Sequence, residues 1–326
     1  MRYRIFEHLV DCDFPLPELQ PAAGRPNLRL RMASGPLGTE DGWQMDQQWR
    51  TPAGEVAKRR MRRGRQVLLD FPGQARFLFD EPRRLGLCER SPGLDDDGLR
   101  HLLLNQWLPA ILGSGGDLVL HAGAVVLPDG GALLLVGGSG YGKSTLTAAL
   151  CRHGARLMCD DAVLLRRRGG EWLAIPGCPD LRLRRDARDR LFGAKAGGWG
   201  RGPGAKFRLG ERDEGIERWQ GPAPVAAIYL LDDPEACRAL DALRVRTPGP
   251  AEALMCMVRS AFTLDISRAA GHRARLRAMA ELKAAGIPLT RLAYPRHFGY
   301  LPQVAKHLLQ AQALAPRSAV GPHRCA

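Results

Sequence analysis

Along the first hundred residues the apolar positions come in short runs broken by proline and glycine, a pattern that predicts strands rather than helices. The runs at 3–10, 28–32, 66–71 and 76–79 are bounded by Pro15, Pro17, Pro26, Pro52 and Pro72. Asp95-Asp96-Asp97 then places acids at the positive end of a predicted helix through Leu99, Leu102, Leu103, Gln106 and Leu108. Pro109 predicts a kink in it, and Gly113-Ser114-Gly115-Gly116 its end. From Leu118 the pattern changes. Runs at 118–126 and 132–136 are too short for independent helices and read as buried strands, joined by a hairpin turn at Pro128-Asp129-Gly130-Gly131. A helix over 145–152 stops at His153-Gly154; further strands are predicted at 156–158, 163–165, 225–231 and 289–294, and helices at 251–261, 269–285 and 302–314. The glycine-rich stretch 193–204 reads as a mobile loop. The predicted organisation is a small β-rich N-terminal domain with a connecting helix over 1–115, an α/β domain over 116–315 and a disordered tail over 316–326.

Composition narrows the function classes. The chain has 326 residues and 45% hydrophobic content, enough to bury a proper core. No stretch approaches the ~18 consecutive apolar residues of a membrane span, and the opening residues lack a signal peptide's apolar core, so a soluble cytoplasmic protein is expected. Eight cysteines are scattered without a CxxC pair, which argues against a zinc site or a disulfide framework. A formal charge of +14 raises nucleic-acid binding, yet only six of the 48 basic residues are lysine, the mark of a general arginine bias. The densest run, Lys58-Arg59-Arg60-Met61-Arg62-Arg63-Gly64-Arg65, has no interleaved aromatics on which bases could stack. It reads as a solvated strand and turn, open to an acidic peptide partner, and nucleic acid ranks lowest among partners. Apolar surface on the N-terminal region leaves a homo-oligomer open.

The strongest motif is Gly137-Gly138-Ser139-Gly140-Tyr141-Gly142-Lys143-Ser144, which satisfies G-x-x-x-x-G-K-[ST] between a predicted strand and a predicted helix. Glycines let the backbone wrap a phosphate chain so that N–H groups and the positive helix end face the anion. Lys143 is expected to reach the β- and γ-phosphates and Ser144 to ligate Mg2+, with Thr145 completing the nucleotide-binding set. A nucleoside triphosphate, ATP by preference, and Mg2+ are the implied cofactors. Phosphoryl chemistry also needs a carboxylate, and two pairs compete for the place: Asp160-Asp161 after the strand at 156–158, and Asp232-Asp233 after the longer run at 225–231, where Pro234 also fits a plain surface turn.

His121-Ala122-Gly123, then the loop, then His153-Gly154-Ala155-Arg156-Leu157-Met158-Cys159-Asp160-Asp161, resembles the catalytic domain of the HPr kinase/phosphorylase family. The resemblance covers about 118–165. It extends loosely through Pro179-Asp180-Leu181-Arg182-Leu183 and Lys206-Phe207-Arg208-Leu209, which are similar to features of HPr-kinase-like enzymes from peptide-tailoring clusters, lasso-peptide kinases included. It implies an α/β, P-loop-containing domain of the HPr-kinase/PEP-carboxykinase-like class behind the β-rich N-terminal domain. It further implies that one of Asp160 and Asp161 accepts the proton of a substrate hydroxyl while the other, with Ser144, holds Mg2+; which does which stays open. His121 would stand beside the transferring phosphate, the plainer reading being a histidine that starts a buried strand. Lys206 would close over the phosphates as a lid charge, the plainer reading being a solvated lysine. Thr145 replaces the acidic residue the family usually carries there, Gly138 replaces its usual aspartate, and the arginine-rich C-terminal signature is missing. These departures point away from phosphorolysis and from HPr as acceptor.

The resulting expectation is an ATP-dependent kinase acting on a serine-type hydroxyl of a small protein or peptide, with a ribosomally made peptide such as a lasso peptide favoured. HPr serine kinase proper, or a P-loop ATPase or switch working through a partner, are the alternatives.

Overall fold

The computed structural model describes residues 1–313 apart from 40, 52, 194–205, 210–214 and 263–268. The predictions of a mobile loop over 193–204 and of a disordered tail therefore fall, from residue 194 and in full respectively, outside the described residues. The described residues form a mixed α/β structure built on two large sheets and one two-stranded ribbon.

The first sheet has eight strands, in spatial order Arg2–Ile5, His8–Cys12, Leu28–Met32, Leu85–Arg90, Ala75–Asp80, Gln66–Phe71, Val56–Arg63 and Gln44–Arg50. The predicted single strand over 3–10 is two strands, because Phe6 and Glu7 both adopt positive φ (48° and 68°) and close a two-residue hairpin. Alternation decides which way side chains point. Val67, Leu69 and Phe71 enter the main core, whereas Leu68 packs on the other face with Leu37 and Leu78. Strands Gln44–Arg50 and Leu85–Arg90 escape a hydrophobic reading, the first being polar and largely exposed along its length.

Asp95 caps the helix Asp96–Leu102, its carboxylate accepting from Gly98 N at 2.8 Å. The predicted kink at Pro109 is instead a π-helical turn, Leu103–Trp107, ahead of the helix Leu108–Ser114. Proline lacks an N–H and crowds the carbonyl four residues back, so the widened turn comes before it and the proline sits in the first turn of the next helix. Trp107 is fully buried against Phe77 and Phe79. The same core continues into Val119, Leu164 and Ile175, joining the first sheet and this helical segment to the second sheet.

The second sheet runs Arg156–Cys159, Ala122–Val126, Ala132–Val136, Ala223–Leu231, Glu171–Pro176, Val163–Arg168 and Leu118–Leu120, with Leu289–Ala293 and Arg244–Arg246 added beside Ala223–Leu231. Its central strands are buried on both faces, hence their unbroken apolar runs. Val125, Leu133 and Leu135 meet Leu146 and Leu150 of the helix Lys143–Arg152 and Val304 and Leu308 of the helix Leu301–Ala313. Ala124, Leu134 and Val136 meet Met257 of the helix Pro250–Ser260, and Met279 and Leu282 of the helix Ala269–Ala284. Each such leucine contributes about 2 kcal/mol by leaving water. Among the described residues no helix is long and apolar enough to cross a membrane, and the cysteines are free, all buried except half-buried Cys256.

Candidate functional site

The chain changes partners within the second sheet at two neighbouring places. The predicted strand over 118–126 is broken: Leu118–Leu120 pairs with Val163–Arg168, whereas Ala122–Val126 pairs with Ala132–Val136 and Arg156–Cys159, and His121 stands at the break. The second change lies between Arg156–Cys159 and Val163–Arg168, at Asp160-Asp161-Ala162. The registers Leu120 to Val163 and Ala124 to Cys159 set the two breaks opposite each other. Gly123 lets the helix Lys143–Arg152 come close, since a Cβ there would lie 2.4 Å from Thr147 Oγ1 and 3.5 Å from Asp160 Oδ1.

Asp161 has φ 72°, and Ala162 N donates to Asp160 O at 3.0 Å, closing a three-residue turn around it. A non-glycine residue at the centre of such a turn is strained and persists only where its surroundings hold it. His121 supplies that hold: its Nδ1 lies 2.8 Å from Asp161 O, and because a carbonyl can only accept, Nδ1 carries the hydrogen. The His121 ring sits edge-on to Phe262 at 5.9 Å, and the backbone N–H of His121 donates to Ser260 O at 2.6 Å.

The loop 137–142 leaves the strand Ala132–Val136 and enters the helix Lys143–Arg152, with Gly140 and Gly142 at φ 82° and 83°. Lys143 is buried and donates to the carbonyls of Gly137 and Gly138, both at 2.9 Å. Tyr141 folds its ring back over Gly137 and Gly138, where a Cβ at 138 would meet the ring at 2.8 Å. Glycine is therefore the residue that the tyrosine permits at 138. The loop is also tied from behind. Arg296, stacked 4.2 Å over Tyr294, donates to Tyr141 O at 2.8 Å and Asp232 O at 2.6 Å, and Tyr141 OH donates to Asp233 at 3.2 Å.

A cavity of about 620 Å³ brings together Ser139, Gly140, Gly142, Lys143, Ser144, Thr145, His121, Asp161 and Lys206. Asp160 lies directly behind it, 2% exposed, with neither carboxylate oxygen in a hydrogen bond of full geometry among the described residues, although Ser144 faces it. Gly137, Gly138 and Tyr141 shape the loop without lining the cavity. Asp232 and Asp233 do not line it either; Asp232 is held by Arg291, whose Nε lies 2.6 Å away. His101, Gln106, Arg182, Arg184 and Arg259, none of them assigned to the site from the sequence, also line the cavity. A second, mostly apolar cavity of about 320 Å³ between Phe6, Leu19, Ile175 and Trp219 holds none of the predicted site residues.

The two carboxyls sit in different fields. Burial, then the neighbouring Asp161 charge, raises Asp160. Burial acts on Asp161 in the same sense, but His121, Lys206, His101 and Lys143 outweigh it and hold that carboxyl below its ordinary value. Burial and the Lys143 charge lower His121, against the pull of the Asp161 charge. Burial brings Lys143 down to about 8. Among the described residues no three His, Cys, Asp or Glu side chains form a metal-binding group. Mg2+ held jointly with phosphates needs only one or two carboxylates, and the orphaned Asp160 oxygens beside Ser144 and Asp161 fit that smaller donor set.

No protein-family model matches the chain, and neither does any curated protein. Among solved structures, the HPr(Ser) kinase/phosphatase from Coxiella burnetii is similar at 18% identity and a TM-score of 0.31, over 60% of this chain and 96% of that one, a distant structural resemblance.

Proposed function

We propose that this chain is an ATP-dependent kinase that phosphorylates a serine-type hydroxyl on a small protein or peptide. The observation that supports this reading is that Ser139, Gly140, Gly142, Lys143, Ser144 and Thr145 line one cavity with Asp161, with Asp160 buried against Ser144 and His121 bracing the turn. In this reading the loop N–H groups, the helix end, Lys143 and Thr145 hold the triphosphate, and Lys143 gives up its two carbonyl partners to do so. Ser144 and Asp160 would hold Mg2+ with help from Asp161, and the ion, when bound, supplies positive charge against the phosphoryl oxygens. Asp161, the carboxylate that lines the cavity, orients the acceptor hydroxyl and takes its proton. The hydroxyl oxygen forms its bond to the γ-phosphorus as the bond to the β–γ bridging oxygen breaks, and that electron pair leaves with ADP. Most of the rate gain comes from placement and charge neutralisation.

A ribosomally made peptide of the lasso type is the acceptor this reading prefers to HPr. The test is incubation with γ-labelled ATP, Mg2+ and the small proteins or peptides encoded beside this chain, followed by mass spectrometry. A phosphoserine on one of them is expected. Steady ATP hydrolysis with no labelled acceptor would favour an ATPase or switch instead.

A further inference from the structure

The antiparallel ribbon of Leu181–Arg184 and Lys206–Leu209 carries like charges face to face twice, Arg182 opposite Arg208 and Arg184 opposite Lys206. Like charges directly opposite destabilise a ribbon, so each pair calls for a counter-charge. The inner pair has one within the protein. Arg182 lies 2.7 Å from Asp97, and Arg208 lies 2.8 Å from Asp180 and 3.4 Å from Glu18. The outer pair differs: Arg184 and Lys206 are exposed, line the cavity and form no ion pair among the described residues. Arg184 also stands at the N-cap of the helix Arg185–Phe192, the end where the helix dipole disfavours a cation. Arg259, exposed and lining the same cavity from the helix Pro250–Ser260, likewise has no ion pair among the described residues. Asp161 is the only carboxylate among the described residues that line the cavity.

We propose that the acceptor hydroxyl arrives on an acidic segment, whose carboxylates take the places opposite Arg184, Lys206 and Arg259, which form no ion pair among the described residues. The inference rests on the kinase reading and names its substrate class. The triphosphate has its own set of partners in the loop N–H groups, Lys143 and the helix end, which leaves the rim cations for the acceptor.

The test uses the full chain with ATP, Mg2+ and a degenerate peptide library around a central serine, read out by sequencing the phosphopeptides formed. Asp and Glu beside the serine are expected to be enriched about fivefold, the order of one well-placed exposed ion pair. In the Arg184→Glu/Arg259→Glu double variant the enrichment shifts to Lys and Arg, with an unchanged thermal midpoint confirming that it folds. Neutral or basic flanks from the unaltered chain overturn the inference, as does an acidic preference that survives charge reversal. A raised KM for ATP with unchanged flank preference also overturns it, because the cations would then serve the nucleotide alone. If nucleotide binds and no phosphopeptide forms, the kinase reading fails and takes this inference with it.

Discussion

His121 donates through Nδ1 to the backbone carbonyl of Asp161 at 2.8 Å, so an imidazole holds a left-handed, strained peptide in place at the cavity wall. The side chain is thereby a positioning group for the aspartate. His121→Ala is expected to lower kcat by about 100-fold, the cost of a misplacement near 1 Å, with little change in nucleotide affinity. His121→Asn, which keeps a donor on a shorter side chain, should recover part of that loss. Equal activity in the alanine variant would remove the brace from the mechanism.

Asp160→Asn and Asp161→Asn should each abolish phosphoryl transfer while a fluorescent nucleotide still binds. Asp232→Ala, which breaks a contact with Arg291 and leaves the cavity lining unaltered, should reduce transfer far less. If ATP consumption without an acceptor is lost in Asp232→Ala and kept in Asp160→Ala, the ATPase reading prevails.

Arg296 joins the loop at Tyr141 to the end of the strand Ala223–Leu231 through two backbone carbonyls. Arg296→Ala is expected to weaken nucleotide binding about tenfold, roughly the 1.4 kcal/mol of one charge-assisted hydrogen bond. Arg296→Lys should not restore it, because one ammonium cannot serve two carbonyls and stack on Tyr294 at once. Titration with a fluorescent ATP analogue decides the matter.

Gly123→Ala would put a Cβ 2.4 Å from Thr147 Oγ1 on a fully buried helix face. The expected destabilisation is about 1–3 kcal/mol. Adding Thr147→Ala should recover most of it, since that change removes the colliding oxygen and a buried hydroxyl that lacks a partner among the described residues. Urea unfolding of the two single variants and the double variant closes the cycle.

Burial, then Arg182, holds the His101 imidazole down to about 4 from 6.5, and Asn105 Nδ2 donates to its Nδ1 at 3.0 Å. Between those two values the unfolded chain binds more protons than the folded one. The stability attached to neutral His101 is therefore complete above pH 6.5 and is lost as pH falls toward 4. His101→Gln should flatten the acid limb of the stability profile by on the order of 2 kcal/mol relative to the unaltered chain. Denaturant midpoints measured from pH 7 to pH 4 on both proteins test this.

Much of the candidate site was legible as sequence because its parts are local. The run from Gly137 to Ser144 needs only a strand before it and a helix after it, and both are written in the periodicity of neighbouring residues. The pair Asp160-Asp161 announces itself by following a short apolar strand. The central strands Ala122–Val126, Ala132–Val136 and Ala223–Leu231 read well because burial leaves long apolar runs, whereas Glu171–Pro176 inside the same sheet and the exposed edge strand Gln44–Arg50 have no such run. The hairpin at Phe6-Glu7 lacks the usual glycine or asparagine signal and was therefore invisible.

What the sequence alone determined is thus the loop, the aspartate pair and the strands that carry unbroken apolar runs, each specified by residues close in the chain. Only the tertiary structure decided that His121 sits at a break and braces Asp161, that Asp232 is engaged by Arg291 outside the cavity lining, and that His101, Arg182, Arg184 and Arg259 join the cavity wall. Those relationships depend on strand register and on helices packing from distant parts of the chain. No local pattern of hydrophobic and polar residues encodes which ladder a strand joins, so the partners of these side chains emerge only when the sheets assemble.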